Sequence, residues 1–275
     1  MPIFHAIVLG ITQGLTEFFP VSSSGHLELV PWLFQWNHFE GDSRMENTFD
    51  VALHLGTLSG LVVCLWGDVQ RHARAGLGAL VGRQPWDTDA KIGWLLLLSA
   101  APAAIAATLL EPFLLKLSDR IGIILIGLAL FGLLLWLVDS QARGKRSFRG
   151  FSGRDALKIG TAQSLALLPG VSRSGITITV ARMTGYDRPH AARLAFLMGI
   201  PIIAGAGLHR SYGVLSDGLP AGMWPALIAG TLTAAITGWV ALKFTLRWVQ
   251  SHSYAGFAMY RVILAAGAML VLYMR

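Results

Sequence analysis

The chain has 275 residues, of which 54% are hydrophobic and 13% are charged, and its mean hydropathy is +0.57. Soluble domains carry about 25% charged residues, so this composition argues against an ordinary soluble enzyme and against a disordered chain. The net charge of +7 would suggest a nucleic-acid partner in a soluble protein, but in a membrane protein the cations must first be assigned to loops. The single cysteine, Cys64, excludes an intrachain disulfide and a cysteine-built zinc site.

In chain order, the sequence contains a broken apolar segment at 3–36, three long apolar stretches, a basic loop, a second broken segment at 155–183 and three more stretches. A membrane-spanning helix needs about 20 mostly apolar residues. The stretches of this kind are 48–66, 92–112, 121–139, 190–208, 222–243 and 255–273. This pattern predicts an all-α polytopic membrane protein with six transmembrane helices.

The two broken segments are interrupted by proline, glycine and a run of serine. As a helix, the first half of the first segment, 3–17, would be about 22 Å long, which is shorter than the roughly 30 Å hydrocarbon core. Broken helices at membrane depth are tolerated when they are buried in protein or line a polar cavity. We therefore predict two re-entrant helix hairpins, and we expect the first residues to belong to the folded chain rather than to a cleaved signal.

The lysine and arginine residues are distributed unequally between the two predicted sides of the membrane. Fifteen of the 22 lie in 67–91, 140–158, 182–193 and 243–255, which the positive-inside rule makes cytoplasmic. The cations on the opposite side are Arg44, Lys116, Arg120, Arg210 and Arg275, while Arg173 and Arg261 lie within apolar segments. This distribution predicts that both termini lie outside, that the first hairpin enters from the outside and that the second enters from the cytoplasm.

The sequence also repeats itself with an offset of 150 residues. Gln-Gly-Leu at 13–15 matches Gln-Ser-Leu at 163–165, and Val-Ser-Ser-Ser-Gly at 21–25 matches Val-Ser-Arg-Ser-Gly at 171–175. Because three spans follow each copy, the second copy is inserted upside down, which predicts an inverted-topology repeat whose broken elements meet near the midplane. Coincidence between two turns rich in serine and glycine is the alternative. The single integral membrane domain, 1–275, then divides into repeat one at about 1–139, a cytoplasmic basic linker at 140–154 and repeat two at about 155–275.

The ionisable residues of the two turns are the candidates for chemistry, because such groups are costly at membrane depth and are usually functional. If the turns meet, Glu17, His26 and Arg173 converge into a set suited to phosphate. Arg173 offers bidentate hydrogen bonds to phosphate oxygens, and the starts of the two helices add positive potential. Glu17 can bind a divalent cation or act as a base. His26 can transfer a proton or attack phosphorus, and Ser23 can be the nucleophile.

Further residues of the turns are candidates for binding the substrate phosphate. They are Ser22, Ser24, Gly25, Ser172, Ser174 and Gly175, together with Arg173. Gln13 is interpreted as a supporting hydrogen-bonding neighbour. Structural roles are the alternatives: a buried ion pair between Glu17 and Arg173, a helix brace for His26, and caps for the serines. His54, on a predicted span, is interpreted as a packed polar group.

The motifs around these residues resemble those of a known family. The stretch 13–26 is similar to the signature of the bacterial undecaprenyl-pyrophosphate phosphatases of the bacitracin-resistance type, whose first motif, Glu/Gln-x-x-x-Glu, is matched by Gln13 and Glu17. Their second motif, Pro-Gly-x-Ser-Arg-Ser-Gly, is matched at 169–175. The segments 49–56 and 260–261 also resemble the family, so the similarity covers essentially the whole chain.

The resemblance implies an integral membrane phosphatase that hydrolyses undecaprenyl pyrophosphate to undecaprenyl phosphate and inorganic phosphate. Such an enzyme recycles the lipid carrier of peptidoglycan synthesis and confers bacitracin resistance. The resemblance also implies a divalent cation, Mg²⁺ or Ca²⁺, and it places the catalytic residues of the family on Glu17, Ser23, His26 and Arg173. Gln13 departs from the glutamate of many members. Since an amide is not a base and is a weaker metal ligand, Glu17 must carry the negative charge alone.

The resulting hypothesis is an in-line attack on the terminal phosphorus by Ser23, His26 or water, with Arg173, the cation and backbone amides stabilising the charge. The site is expected to face the periplasm or cell exterior from the bacterial cytoplasmic membrane, with the prenyl tail in grooves between spans. The lipid substrate and the bilayer are the expected partners, nucleic acid is not, and a homodimer is left open. The alternatives are a transporter or flippase for a lipid phosphate or another anion, and a non-catalytic lipid-binding protein.

Overall fold

The computed structural model describes residues 1–37, 43–114, 117, 120–217 and 222–275. These residues form eleven α-helices and two short 3-10 helices, Phe148–Gly150 and Ser164–Leu167, and no strand occurs among them. The α-helices are α1 Ile3–Phe18, α2 Ser23–Phe34, α3 Ser43–Cys64, α4 Trp66–Leu80, α5 Thr88–Leu114, α6 Ile121–Gln141, α7 Gly153–Gln163, α8 Arg173–Met183, α9 Arg188–Asp217, α10 Trp224–Trp248 and α11 Ala255–Met274.

Six of these helices contain stretches that are long and apolar enough to cross a membrane. The stretches are Met45–Cys64, Thr88–Leu110, Ile121–Gln141, Arg188–His209, Trp224–Trp248 and Ala255–Met274. They overlap the six predicted spans, so the all-α class with six candidate membrane-spanning helices is confirmed. The span of α9 is 56% buried and that of α11 only 22%, which makes α9 the central helix and leaves α11 with a broad apolar outer face.

One helix lies in a stretch that the sequence analysis treats as a loop. All of α4 except its first residue lies within 67–91, and its buried Asp68 accepts two hydrogen bonds of 2.7 Å from the guanidinium of Arg193 on α9. Ala75 and Ala79 of α4 pack together in a small core cluster. A hydropathy window of about 20 residues detects spans, but it passes over a short amphipathic helix whose apolar positions recur every four residues.

The first broken segment is interrupted because its sequence cannot continue a helix. Pro20 removes a backbone donor and disfavours the helical conformation at Phe19, which is extended. Ser22 then adopts a positive φ of 77°, and its hydroxyl accepts a hydrogen bond from the Gly25 backbone amide at 3.4 Å as α2 begins. α1 packs against α10 so closely that a Cβ on Gly10 would meet a backbone carbonyl oxygen of α10.

The second broken segment repeats this design with different residues. α7 ends at Gln163, and a 3-10 turn and a left-handed Gly170 lead to Ser172, whose φ is 74°. The Ser172 hydroxyl accepts a hydrogen bond from the Gly175 backbone amide at 3.1 Å as α8 begins. α7 packs closely against α5, because a Cβ on Gly160 would meet a backbone carbonyl oxygen of α5.

Charge networks hold the ends of several helices together. Asp139, at the end of α6, accepts hydrogen bonds from Arg182 of α8 and Arg188 of α9, each at 2.9 Å, and from the Tyr254 backbone amide at 3.1 Å. At the other end of α11, Arg275 donates to two backbone carbonyls of the last turn of α2 at 2.8 and 2.9 Å. The assignment of these ends to the two sides of a membrane stays a prediction. Among the cations assigned to the outer side, Lys116 and the side chains of Arg44 and Arg210 lie outside the described residues.

A further network fixes the start of α7, outside the spans. Asp155 accepts hydrogen bonds from Ser152 at 2.7 Å, from Arg146 at 2.7 Å and from the Tyr186 hydroxyl at 3.0 Å. Burial by itself would raise the pKa of Asp155, but the hydrogen bonds from Arg146, Ser152 and Tyr186 lower that pKa below its usual value. The pKa of Tyr186 is raised, first by burial and then by the neighbouring carboxylate.

Candidate active site

The centre of the candidate site is an ion pair between the two broken segments. Arg173, the first residue of α8, donates from Nη2 to Glu17 Oε1 at 2.8 Å, and its Nη1 donates to the Ala195 carbonyl oxygen of α9 at 3.0 Å. The two side chains are 13% and 4% exposed. α9 has a glycine beside the guanidinium, because a Cβ on Gly199 would meet Arg173. A buried pair of this kind is costly to break, since either charge alone would be left without compensation.

The second oxygen of Glu17 is occupied by donors from the first segment. The Ser23 hydroxyl donates to Glu17 Oε2 at 2.7 Å, and Gln13 Nε2 donates to the same oxygen at 3.2 Å. Gln13 lies one helical turn before Glu17 on α1, so the two side chains share a face. A carboxylate that accepts the hydrogen of a serine hydroxyl is placed to act as a general base for that serine.

A histidine of α3 also reaches this carboxylate. His54 Nδ1 lies 2.8 Å from the Asp50 carbonyl oxygen, which can only accept, so Nδ1 carries the hydrogen. His54 Nε2 lies 3.6 Å from Glu17 Oε2. His54 also lines the cavity around Glu17, a position that its interpretation as a packed polar group does not include. The sequence shows that His54 is on a helix, but it does not show that α3 passes beside α1.

These residues line a cavity of about 250 Å³. Its polar lining consists of Glu17, Ser23, Ser24, His54, Gln163, Ser172 and Arg173, and its apolar lining includes Val51, Ala103, Ile202, Ile203 and Ala206. The polar side chains come mainly from the two broken segments, while the apolar ones come mainly from α3, α5 and α9, with Ala166 and Leu167 added by the second broken segment. This division suits a ligand that combines an anionic group with an apolar part.

Neither Glu17 nor Arg173 is a hydrogen-bond partner of His26 within the described residues, and the predicted catalytic role of His26 stays a prediction. Its Nδ1 lies 2.7 Å from the Ser22 carbonyl oxygen, and its Nε2 lies 2.8 Å from the Tyr260 hydroxyl. The His26 and Tyr260 rings are also stacked, with centroids 5.6 Å apart. Since a carbonyl oxygen accepts, Nδ1 carries the hydrogen and Nε2 accepts from Tyr260. His26 is therefore directed at α11, and in this structure its contacts brace the turn.

The predicted phosphate-binding residues form two matching caps. The Ser22 and Ser172 hydroxyls accept hydrogen bonds from Gly25 and Gly175, and they lie 3.4 Å from the hydroxyls of Ser24 and Ser174. Among these residues, Ser24 and Ser172 line the cavity. Their geometry shows caps and a cavity lining, and phosphate binding by these residues stays a prediction.

Arg261 is a structural residue whose role the sequence analysis did not assign. Arg261 is fully buried, and its guanidinium donates to carbonyl oxygens of both turns and of α6. The acceptors are Pro20 of the first turn, Gly170 and Val171 of the second turn, and Gly127 and Leu128 of α6, at 2.9 to 3.3 Å. The signal in the sequence is an arginine inside an apolar span. Its effect here is to hold both turns against α6.

The donor set around Glu17 fits a divalent cation that is bound together with phosphate rather than in a cage of protein ligands. Among the described residues there is no group of three or more His, Cys, Asp or Glu side chains that could hold a metal. Mg²⁺ usually binds one or two carboxylates and completes its coordination with substrate phosphates and water. Glu17 supplies a carboxylate, and the buried Gln13 Oε1 has no hydrogen-bond partner within the described parts of the chain.

Comparisons with known proteins identify the family to which the chain is similar. The sequence model of the family described as Bacitracin resistance protein BacA matches residues 6–267. A protein named undecaprenyl-diphosphatase from Moorella thermoacetica is 42% identical over 275 residues, with all of both chains covered. Proteins of the same name from Pelobacter propionicus and Thermomicrobium roseum are 45% and 40% identical. The first covers 98% of this chain and 96% of its own length, and the second covers 98% of each.

Proposed function

Because the chain belongs to the BacA family of bacitracin resistance proteins, we propose that it hydrolyses undecaprenyl diphosphate in the cavity around Glu17. The products are undecaprenyl phosphate and inorganic phosphate, so the reaction recycles the lipid carrier for peptidoglycan synthesis. The observation that carries the location of the reaction is the position of Glu17, which accepts hydrogen bonds from Ser23 and Arg173 at the same time. A base, a hydroxyl and a guanidinium thus line the same cavity.

In the mechanism that this geometry favours, Ser23 Oγ attacks the terminal phosphorus. The Oγ–P bond forms, the bond from phosphorus to the bridging oxygen breaks, and undecaprenyl phosphate leaves with the bonding electrons while the serine proton passes to Glu17 Oε2. Glu17 passes this proton to the departing phosphate oxygen and is again a carboxylate when water attacks the phosphoserine. It takes a proton from that water and returns it to Ser23 Oγ as the Oγ–P bond breaks and inorganic phosphate leaves. Arg173 stabilises charge on the equatorial oxygens. His26 and water are the other candidate nucleophiles, and the contacts of His26 with Ser22 and Tyr260 argue against the first.

A divalent cation, Mg²⁺ or Ca²⁺, is part of the proposal. Glu17 and Gln13 Oε1, together with phosphate oxygens of the substrate, would hold it. When bound, such an ion neutralises charge on the diphosphate. We expect EDTA to abolish phosphate release by the purified protein and added Mg²⁺ or Ca²⁺ to restore it. Full activity in EDTA would remove the cation from the mechanism.

We also propose that the broken segments are re-entrant hairpins of an inverted repeat, with the site open to the periplasm or cell exterior. Two matches at the offset of 150 residues support this repeat. Ser22 and Ser172 have nearly equal positive φ angles, and Gly10 and Gly160 make corresponding close packing contacts. Cysteine labelling from the outside of intact cells tests the orientation. A Ser24→Cys variant, made with Cys64 replaced, should react with a membrane-impermeant reagent.

Transport of a lipid phosphate is the alternative that an inverted repeat suggests. The hydrogen bond from Ser23 to Glu17 favours hydrolysis, because an anion carrier has no need for a hydroxyl paired with a base. Movement of the lipid across proteoliposomes without phosphate release would support the transporter instead.

The decisive experiment measures phosphate release from undecaprenyl diphosphate by the purified protein in detergent. Ser23→Ala should reduce turnover by roughly a thousandfold or more, since it removes the nucleophile. Ser140→Ala is the matched control, because Ser140 is exposed at the end of α6 and bonds to its own helix. Equal turnover by Ser23→Ala and wild type would exclude Ser23 as the nucleophile and favour water.

A further inference from the structure

The cavity contains a buried amide for which the mechanism gives no role. Gln163, the last residue of α7, is 2% exposed and lines the cavity together with Glu17, Ser23 and Arg173. Neither its Nε2 nor its Oε1 has a hydrogen-bond partner among the described residues. Buried amides are nearly always paired with protein, water or ligand, because leaving them unpaired is costly. Gln163 therefore has hydrogen-bonding capacity that is left for something in the cavity.

The matching residue of the first segment shows what Gln163 lacks. Gln13 lies 150 residues earlier, and its Nε2 donates to Glu17, four residues further on. In the second segment the residue four positions after Gln163 is Leu167, which cannot accept a hydrogen bond. Gln163 thus has the same side chain as Gln13, but the second segment has a leucine where the first has the carboxylate that accepts the hydrogen bond.

The surroundings of Gln163 select an anionic oxygen ligand. Arg173 places a guanidinium on the cavity wall, and Ser172 lies in the same lining. An amide offers two N–H donors, and phosphoryl oxygens are the acceptors that such donors and an arginine bind together. We propose that Gln163 is a substrate-contacting residue that donates from Nε2 to an oxygen of the lipid diphosphate. This inference rests on the proposed function, since it names a group that holds the same substrate.

The test replaces Gln163 with methionine, which has a similar length and no N–H donor. Kinetics with undecaprenyl diphosphate should show a rise in KM of about tenfold or more, the effect of losing one hydrogen bond to a charged group. The thermal stabilisation of the protein by inorganic pyrophosphate, measured without turnover, should shrink in parallel. The melting temperature of the ligand-free variant should not fall, because the substitution breaks no hydrogen bond within the protein.

Thr161→Met is the matched control, because Thr161 is exposed on the same helix two residues earlier. It should leave KM and pyrophosphate stabilisation unchanged. Gln163→Glu provides a second variant of equal size, and its carboxylate should repel the diphosphate and raise KM further than methionine does.

Two results would overturn the inference. One is an unchanged KM and unchanged pyrophosphate stabilisation in both Gln163 variants. The other is a lower melting temperature of ligand-free Gln163→Met with an unchanged KM, which would assign the amide to a structural water. The wild-type protein separates this inference from the proposed function. If it releases no phosphate from undecaprenyl diphosphate, the proposed function fails, whereas an active wild type with unaffected Gln163 variants overturns only the role of Gln163.

Discussion

In the first broken segment the capping Ser22 is followed by Ser23, and in the second the capping Ser172 is followed by Arg173. Both capping serines have a positive φ, and both accept a hydrogen bond from the glycine three residues later. The backbone of the two turns is thus nearly the same, while the first residue of the helix that follows is a hydroxyl in one and a cation in the other. One turn geometry presents two different chemical groups to the same cavity.

The positions before the turns differ in the same way. Glu17 in the first segment corresponds to Leu167 in the second. If both segments carried the carboxylate, two negative charges would meet near a bound diphosphate and repel it. The division of residues places one carboxylate opposite one guanidinium, and the ion pair between them ties the segments together. The sequence difference between the two segments therefore supplies both charged groups of the site, and their ion pair also stabilises the contact between the segments.

The largest expected effect on turnover comes from removing the negative charge of Glu17, which the second segment lacks. Glu17→Gln should reduce phosphate release by about a thousandfold or more, because it removes the general base. It should also lower the melting temperature, since Arg173 is left buried without its carboxylate. The double variant Glu17→Gln with Arg173→Met should regain stability and stay inactive. Turnover of Glu17→Gln within about tenfold of wild type would contradict the role of Glu17.

A smaller loss of turnover is expected when Arg173, the cationic residue of the second segment, is kept but its guanidinium is displaced. Gly199→Ala places a Cβ against the Arg173 guanidinium. Since small misplacements of a catalytic group are costly, turnover should fall by roughly a hundredfold. Gly205→Ala on the same helix is the control, because a Cβ there would meet nothing within 4 Å. Equal turnover by the two variants would show that the position of Arg173 is not critical.

Arg261 donates hydrogen bonds to both turns, and its substitution should have a still smaller effect on turnover. Arg261→Lys keeps the positive charge but offers one ammonium in place of a fork that reaches carbonyls of both turns and α6. We expect turnover to fall by about tenfold and the melting temperature to fall by several degrees. Met259→Leu, at an exposed position of α11, is the control. Wild-type melting and turnover in Arg261→Lys would show that the clamp is dispensable.

The six candidate spans and α4 differ in how far the sequence predicts them. The six spans were predictable because length and hydropathy alone define an apolar helix that can cross a bilayer. α4 was not, because its apolar residues form a stripe rather than a run. It packs against α5 and forms an ion pair with α9 between Asp68 and Arg193, which are 125 residues apart.

The candidate site was predictable where a repeated motif linked distant residues. The match between 21–25 and 171–175 led to the expectation that Glu17 and Arg173 lie together, and the structure places them 2.8 Å apart. His26 belongs to the same turn, but a sequence does not show in which direction a turn points its side chains, and Tyr260 binds this one. His54 and Gln163 reach the cavity through the packing of α3 and α7. The resemblance at 49–56 and the repeat at 163–165 include these residues, but neither pattern shows where their side chains point.

The smallest expected effect is on stability and comes from a substitution at the start of α7, where the two segments differ. α7 starts with a capping box in which Ser152 and Asp155 bond each other, whereas the first residue before α1, Pro2, makes no side-chain cap. Asp155→Asn should therefore destabilise the protein by about 1 kcal/mol at pH 7, the usual value of a helix cap.

The stabilisation that Asp155 gives should depend on pH, because the pKa of Asp155 is lowered in the folded protein. The stabilisation of the folded protein is complete above the unfolded pKa of about 3.9, and it is lost as the pH falls through the folded pKa. The difference in melting temperature between wild type and Asp155→Asn should accordingly shrink as the pH falls below about 4. Lys158→Gln, exposed on the same helix, should show no such dependence, and a difference from wild type that persists in acid would mean that the charge of Asp155 is not what stabilises the start of α7.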